Sequence, residues 1–270
     1  MAHVHSRSAL FDLYGDHLRW RGGVAPVAAL VRLLAPLDIS VAAVRTAVSR
    51  MVRQGWLEPL RLADGPGYGL TERAEHRLDE AHARIYRTGA ASADVAWDGQ
   101  WHLLVLQRPT ARADRERLES ALRYLGYASL SNGTWLAPRR SAELAATLSA
   151  EGLDAHTFSA RHDGDLAGLV AQAWDLAPVA QAYRDWSTQA RVLLDVAGEA
   201  PDDQTAFAVR FRLVHEWRKF LFTDPALPDE LLPPDWPGHA AAELFDASAQ
   251  RLRAGADRFV DNCLDPSRTS

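Results

Sequence analysis

Apolar positions recur three and four residues apart along the N-terminal third of the chain, run together or alternate in the middle, and return to helical spacing towards the C-terminus. Residues 8–19 place Leu10, Phe11, Leu13, Tyr14 and Leu18 on a first helix, which Gly22 and Gly23 break. Pro26 stands at a first helical position, ahead of a second amphipathic helix over 27–34. A short link over 36–40 follows, with Ser40 as the N-cap of a third helix. Val41, Val44, Val48, Met51 and Val52 give that helix one buried stripe, and Gly55 stops it. Extended segments at 56–62 and 68–70 flank Ala63-Asp64-Gly65-Pro66-Gly67, which reads as strand, turn-rich tip and strand. Thr71 then caps a further helix carrying Ala74, Leu78, Ala81 and Ile85. Two helices, a third with polar residues outside, a hairpin and a last helix make the order of a winged helix-turn-helix.

The small residues of 89–93 read as a linker, and the pattern changes after them. Residues 101–107 form an apolar strand, and 112–125 an amphipathic helix with Leu118, Leu122 and Leu125 inward. Strands at 127–130 and 134–137 meet across Asn132-Gly133, a two-residue hairpin signal. Ser141 caps a helix through Leu148, and 155–158 reads as a last strand. The order β-α-β-β-α-β is the ferredoxin-like arrangement. From Asp165 the pattern is helical over 166–174, 178–196, 202–222 and 240–260. The last two are separated by a crossing over 224–238 that holds five prolines. Leu227, Leu231, Leu232 and Trp236 make that crossing too apolar for a solvated linker, so it is expected to pack along the helices. The fold class is therefore α+β, with a winged-helix domain over 1–88, a ferredoxin-like domain over 95–162 and a helical domain over 163–270.

Charge sharpens the reading of the third helix. Its outer face carries Arg45, Thr46, Ser49, Arg50 and Arg53, and no carboxylate lies between Ile39 and Leu57. Arginine reads guanine in the major groove, while hydroxyls and further arginines hold phosphates. Residues 1–87 hold 12 arginines against 9 acidic residues, whereas the rest holds 18 basic against 26 acidic residues. The overall charge of −5 thus hides a basic head on an acidic body, and counterion release favours DNA binding through the head. Nearly every basic residue is arginine, with Lys219 the single lysine. Hydrophobic content of 47% with nine tryptophans excludes general disorder. No apolar run reaches the roughly 20 residues that cross a bilayer, and the first residues lack the apolar core of a secretory signal. With Cys263 alone no internal disulfide forms, and a cytoplasmic protein is expected.

Catalytic chemistry is sparse. His215-Glu216-Trp217-Arg218-Lys219 begins like HExxH, but Lys219 occupies the position of the second zinc-binding histidine. Phosphate-binding and dinucleotide fingerprints are missing, as is GxSxG, and no metal site or catalytic residue is assigned. The expectation is a protein that is not an enzyme. The alternative is a CoA-dependent or nucleic-acid-processing enzyme built on the middle and C-terminal domains.

The chain resembles the PaaX family of bacterial repressors, named for control of phenylacetate degradation. The resemblance rests on RGG at 21–23, VRTAVSRMVRQGWL at 44–57, YGLT at 68–71 and RIY at 84–86. It continues through WDGQW at 97–101, LGYASLSNGTWLAP at 125–138 and the long HEWRKFLFTDPALPDELLPPDWPG at 215–238. It implies a homodimer on palindromic double-stranded operator DNA, released by an aryl-CoA thioester, with no cofactor and no membrane association. Arg45, Thr46, Ser49 and Arg50 would enter the major groove, and Arg53 and Arg61 would hold phosphates. The tip at 63–67 lacks the basic residues expected of a wing, leaving Arg61 as the nearest cation. An effector such as phenylacetyl-CoA or another acyl-CoA would meet His215, Glu216, Arg218 and Trp236; alternatively, these residues pin the proline-rich crossing to its helix. The middle domain also resembles the small CRISPR-associated ferredoxin-like nucleases. Those carry a catalytic aspartate at the end of the first strand, where this chain has Arg108-Pro109.

Overall fold

The computed structural model describes residues 5–62, 65–75, 78 and 96–265. The chain forms two compact units: one of residues 1–86, 185–218 and 241–270, the other of 87–184 and 219–240. The sequence-derived linker at 89–93, most of the helix after Thr71 and the wing-tip residues Ala63 and Asp64 lie outside the described residues.

In the first unit, helix α1 (Ser6–Leu13) runs on through one π turn (Tyr14–Leu18) and one 3₁₀ turn (Arg19–Arg21). Gly22, at φ 83°, ends it in the left-handed region that favours glycine. Strand β1 (Val24–Pro26) follows, and Pro26 is the N-cap of α2 (Val27–Leu34) rather than its first helical residue. A 3₁₀ turn (Ala35–Leu37) leads to α3 (Val41–Arg53), where the Ser40 hydroxyl accepts from the Ala43 amide at 3.3 Å. Gly55, at φ 70°, turns the chain into β2 (Leu57–Leu62), and β3 (Gly65–Leu70) returns. The sheet order is β1-β3-β2, all antiparallel, so β3 is central. Gly67 is where that sheet is tightest, because a Cβ there would lie 2.4 Å from the Leu62 side chain and 3.1 Å from the Ala25 carbonyl. Strand β1 was not foreseen, since three residues ending in proline carry no alternation to read.

After β3, the Thr71 hydroxyl accepts from the Ala74 amide and donates to the Gly55 carbonyl at 2.8 Å, so one side chain ties the end of α3 to the next helical turn, 72–75. The core of this unit joins Leu10, Leu13, Leu30, Val44 and Met51 to residues distant in sequence. These are Phe207 and Phe211 from α8 (Asp203–Trp217) and Ala256 and Val260 from α10 (Pro237–Leu264).

The second unit is built on the sheet β5-β6-β4-β7, from β4 (Trp101–Leu106), β5 (Ala128–Ser131), β6 (Thr134–Ala137) and β7 (Ala155–Ala160), antiparallel throughout. Helices α4 (Arg112–Tyr124) and α5 (Leu144–Ala150) connect the strands in the expected β-α-β-β-α-β order. One sheet face packs on these helices through Leu104, Leu118, Leu122, Trp135 and Leu148. The other packs through Trp101 and Leu136 on Val170 of α6 (Leu166–Ala173), on Trp174, and on Leu227 and Leu231 of the proline-rich crossing. Leu227, Leu231 and Trp236 of that crossing are buried and Leu232 partly so, packed in part against a sheet face. Ser141 caps the turn at Glu143 rather than α5 itself, which begins at Leu144. Helix α7 (Leu176–Ala197) starts two residues before Pro178, and α8 ends at Trp217, with the short α9 (Phe220–Thr223) following instead of one continuous segment.

Candidate nucleic-acid interface

Helix α3 presents two opposed faces. Val44, Ala47, Val48 and Met51 are buried and contribute to the first unit's core. Val41 belongs to the expected stripe but is 45% exposed; Ile39, one residue ahead of the cap, is buried in its stead. The opposite face holds Arg45, Thr46, Ser49, Arg50 and Arg53, all exposed, and the spacing 46, 49, 50, 53 keeps them on one side of the helix. The neighbouring strand β2 exposes Arg61, which is in register with Pro66.

None of these six side chains has a hydrogen-bond or ion-pair partner among the described residues. Other arginines of the same unit are engaged. Arg19 donates to the Leu78 carbonyl at 3.3 Å, and Arg32 to the Cys263 carbonyl. Arg21 pairs with Asp257 at 3.0 Å and Asp261 at 2.6 Å. The helix is fixed at its C-terminal end by Trp56, whose ring meets Phe11 edge-on at 5.0 Å and lies 5.2 Å from the Arg73 guanidinium. Tyr14 donates to the Tyr68 carbonyl at 2.9 Å, holding the central strand to the first helix. A rigid, partner-free row of cations and hydroxyls fits the chemistry of a phosphate backbone and of guanine edges.

Behind this face lies a polar cluster that the sequence did not disclose. Arg210 makes a bidentate pair with Asp16 and also donates to the Ala249 carbonyl at 3.3 Å. His17 is fully buried beside them, 5.2 Å from the Phe207 ring, and burial holds its pKa down at about 4, so the ring is neutral. One turn earlier, Asp12 is bound by His215 at 2.5 Å and by Arg218. Burial lowers the Arg218 pKa to about 10, which leaves it a cation at neutral pH. No local motif could have revealed these contacts, since Asp16 and Arg210 are 194 residues apart and Asp12 and His215 are 203 apart; His215 and Arg218 stand in the HEWRK motif, but Asp12, Asp16 and Arg210 fall in none.

Of the four residues read as effector contacts, His215 and Arg218 meet on Asp12, and Glu216 is half-buried on the same helix end. Trp236 belongs to the second unit, where it packs edge-on against Tyr183 at 5.9 Å. Tyr183 also stacks on Phe220 at 3.9 Å and donates to Asp224, so Trp236 helps hold the crossing there. A cavity of about 770 Å³ in the first unit is lined by Trp20 and by Arg21, Arg210 and Arg253 against four aspartates. A second, of about 470 Å³, lies in the second unit beside Trp97, Phe158, Arg139 and Arg140. None of the four residues lines either cavity.

At the end of β4, Arg108 donates to the Asn132 side chain at 3.1 Å, in the position where the nuclease-like proteins need a metal-binding carboxylate. Among the described residues, no three His, Cys, Asp or Glu side chains come together as a metal site, and no helix is long and apolar enough to cross a membrane.

Comparison with known proteins covers nearly the whole chain. Residues 5–74 match the family model described as PaaX-like protein, 94–168 the PaaX protein central Cas2-like domain, and 174–262 the PaaX-like protein C-terminal domain. The transcriptional repressor PaaX of Escherichia coli (strain K12) is 30% identical over 268 residues, covering 95% of this chain and 83% of that protein. A solved structure of an uncharacterized protein from Mycobacterium tuberculosis aligns with a TM-score of 0.58 at 27% identity, covering 96% of this chain and 99% of that one.

Proposed function

This chain belongs to the PaaX family, and on that footing we propose that it is a sequence-specific DNA-binding repressor rather than an enzyme. The observation that carries the reading is the outer face of α3: five exposed polar residues, three of them arginines, with no partner among the described residues, on a helix whose other face is locked into the core. We read residues 1–88 as a winged helix-turn-helix head with α3 as recognition helix, 95–162 as the central domain and 163–270 as the helical domain. Arg45, Thr46, Ser49 and Arg50 enter the major groove; Arg53 and Arg61 hold phosphates. A two-fold homodimer reads half-sites spaced by about one DNA turn, roughly 34 Å, or a multiple of it.

The regulated genes are those of aromatic-acid catabolism of the phenylacetate type, and an aryl-CoA such as phenylacetyl-CoA releases the operator. Footprinting on the DNA upstream of the protein's own gene and its neighbours tests the reading. A protected inverted repeat, lost on adding phenylacetyl-CoA but not free CoA, is the expected result. No protection anywhere in that DNA, at a salt concentration where nonspecific binding is already suppressed, would remove DNA recognition from the assignment.

A further inference from the structure

The second cavity, of about 470 Å³, lies wholly within the second unit, at one end of its sheet. Residues 96–100, which lead into β4, and residues 138–140, which follow its antiparallel neighbour β6, form much of its wall. Its size is that of a small-molecule site, about 300–1,000 Å³. One wall is aromatic and held in place. The Trp97 indole N–H donates to the Gln100 carbonyl at 2.9 Å and to the Pro138 carbonyl at 3.2 Å. Its ring meets Trp101 edge-on at 4.9 Å. Phe158 of β7, 54% exposed, lines the same cavity.

The polar wall is a set of donors. His102 of β4 is only 9% exposed, and it lines the cavity. The Tyr127 hydroxyl accepts from the Ser141 amide and lies 2.7 Å from His102 Nδ1, to which it donates its own proton. Burial, and then the charge of Arg140, lower the His102 pKa, so the neutral ring carries its one hydrogen on Nε2. This N–H has no partner among the described residues and is not sealed from solvent; on so buried a side chain, the cavity is where it opens. Arg139 and Arg140, both exposed, line the cavity beside it, and Arg140 has no carboxylate partner among the described residues. Among the described residues Asp98 is the single carboxylate on this wall, and its Oδ1 already accepts from the Gln100 amide at 2.9 Å. The balance is cationic. Two guanidinium groups and an imidazole N–H fit a phosphate, whose oxygens accept several charge-assisted hydrogen bonds at once.

We propose that this cavity binds a nucleoside phosphate, with the phosphate on Arg139, Arg140 and His102 and the base against Trp97 and Phe158. An inorganic anion alone would leave the aromatic wall in water, and an apolar ring alone would leave the donors unmatched. A ligand that carries both parts satisfies both walls, because every base has a π-face to lay on an aromatic side chain. Free nucleotides have this pair of groups, and so does the adenosine end of coenzyme A. The inference stands apart from the effector reading above, since it concerns a binding site and not the release of an operator.

Calorimetry on the full chain tests this with ADP, adenosine, inorganic phosphate and CoA. ADP is expected to bind about tenfold or more tightly than adenosine or inorganic phosphate. Arg140→Gln, at an exposed position, is expected to keep the wild-type melting temperature and to weaken ADP about tenfold or more, with Arg140→Lys in between. Arg253→Gln, on the wall of the other cavity, is expected to leave ADP binding unchanged. CoA bound more tightly than ADP, with the same loss in Arg140→Gln, makes the coenzyme the source of the ligand. ADP bound at least as tightly as CoA makes it a free nucleotide. No heat from ADP or CoA, inorganic phosphate bound as well as ADP, or a folded Arg140→Gln variant of unchanged affinity would each overturn the proposal. Operator release by phenylacetyl-CoA is read separately, in the footprint. Its failure beside tight ADP binding removes that effector and keeps this site, whereas release without any loss of ligand affinity in Arg140→Gln keeps the effector and removes the site.

Discussion

Arg210 grips Asp16 with two guanidinium nitrogens, a pairing of residues 194 apart in sequence whose side chains are 8% and 10% exposed. Desolvating both charges offsets much of their attraction, so the pair specifies how α8 meets the end of the first helix more than it adds net stability. Removing one partner is different, because it strands the other charge in the interior. Arg210→Ala is expected to cost about 3–5 kcal/mol, whereas Arg210→Met with Asp16→Leu costs clearly less than the two single changes together. Urea titrations of the four proteins measure this. A double variant whose loss equals the sum of the singles would mean that the two residues act independently.

His17 gives the first unit a pH dependence of known sign. Its folded pKa, about 4, lies below the unfolded value of roughly 6.5, because burial penalises the charged ring. Its Nε2 lies 3.3 Å from an Asp16 carboxylate oxygen, which favours a second proton, and 3.5 Å from an Arg210 nitrogen, which opposes it, but burial outweighs the attraction to Asp16. Between these two values the unfolded chain binds a proton that the folded chain refuses. Stability therefore falls as pH drops from 6.5 towards 4, by roughly 1 kcal/mol per pH unit from this residue. His17→Gln removes that contribution, and its stability curve is expected to be flatter than the wild type's over the same window. Parallel curves would assign the acid sensitivity to other groups.

Local signals carried most of the elements. Ser40, Gly55, Thr71 and Asn132-Gly133 each bend or cap the backbone by chemistry contained in one or two residues, and the structure places helix ends and turns where they stand. The exposure of Arg45, Thr46, Ser49, Arg50 and Arg53 was likewise legible, because a helical stripe defines its own opposite face; Arg61, also exposed, lies on strand β2. What could not be read were the pairings. Phe207 and Val260 join the core of the N-terminal helices, and Asp12 and Asp16 find His215, Arg218 and Arg210, because tertiary packing brings distant side chains together. Nothing in the spacing of HEWRK indicated that its histidine and arginine would converge on one aspartate.

The arginines of α3 are expected to divide by role. If Arg50 reads a base, Arg50→Ala weakens operator binding by about 1–3 kcal/mol and relaxes preference at one position of the site. If Arg53 holds a phosphate, Arg53→Ala weakens operator and unrelated DNA alike, and lowers the slope of log K against log salt by about one. Both residues are exposed without described partners, so neither change should lower the melting temperature appreciably. Gel-shift titrations at several salt concentrations, on the operator and on a scrambled duplex, separate the two. Unchanged operator affinity in both variants would take this face of α3 off the DNA.

The Asp12 cluster links the effector proposal to the head. His215 and Arg218 already hold the Asp12 carboxylate, with side chains only 13% and 15% exposed, so a ligand that used them would have to loosen that grip. The free energy of loosening is subtracted from the affinity, as for any ligand that binds a less populated state. Asp12→Asn keeps the shape but removes the carboxylate charge that holds the Arg218 guanidinium and the His215 ring. In that variant phenylacetyl-CoA should bind more tightly than in wild type, and the operator should be released at lower effector concentration. Calorimetry on both proteins, with free CoA as control, gives the affinities, and a thermal melt confirms that the variant is folded. Equal affinity in the two proteins would place the effector away from His215 and Arg218, leaving them as clasps of the first helix. No heat from phenylacetyl-CoA with either protein would remove that thioester as the effector.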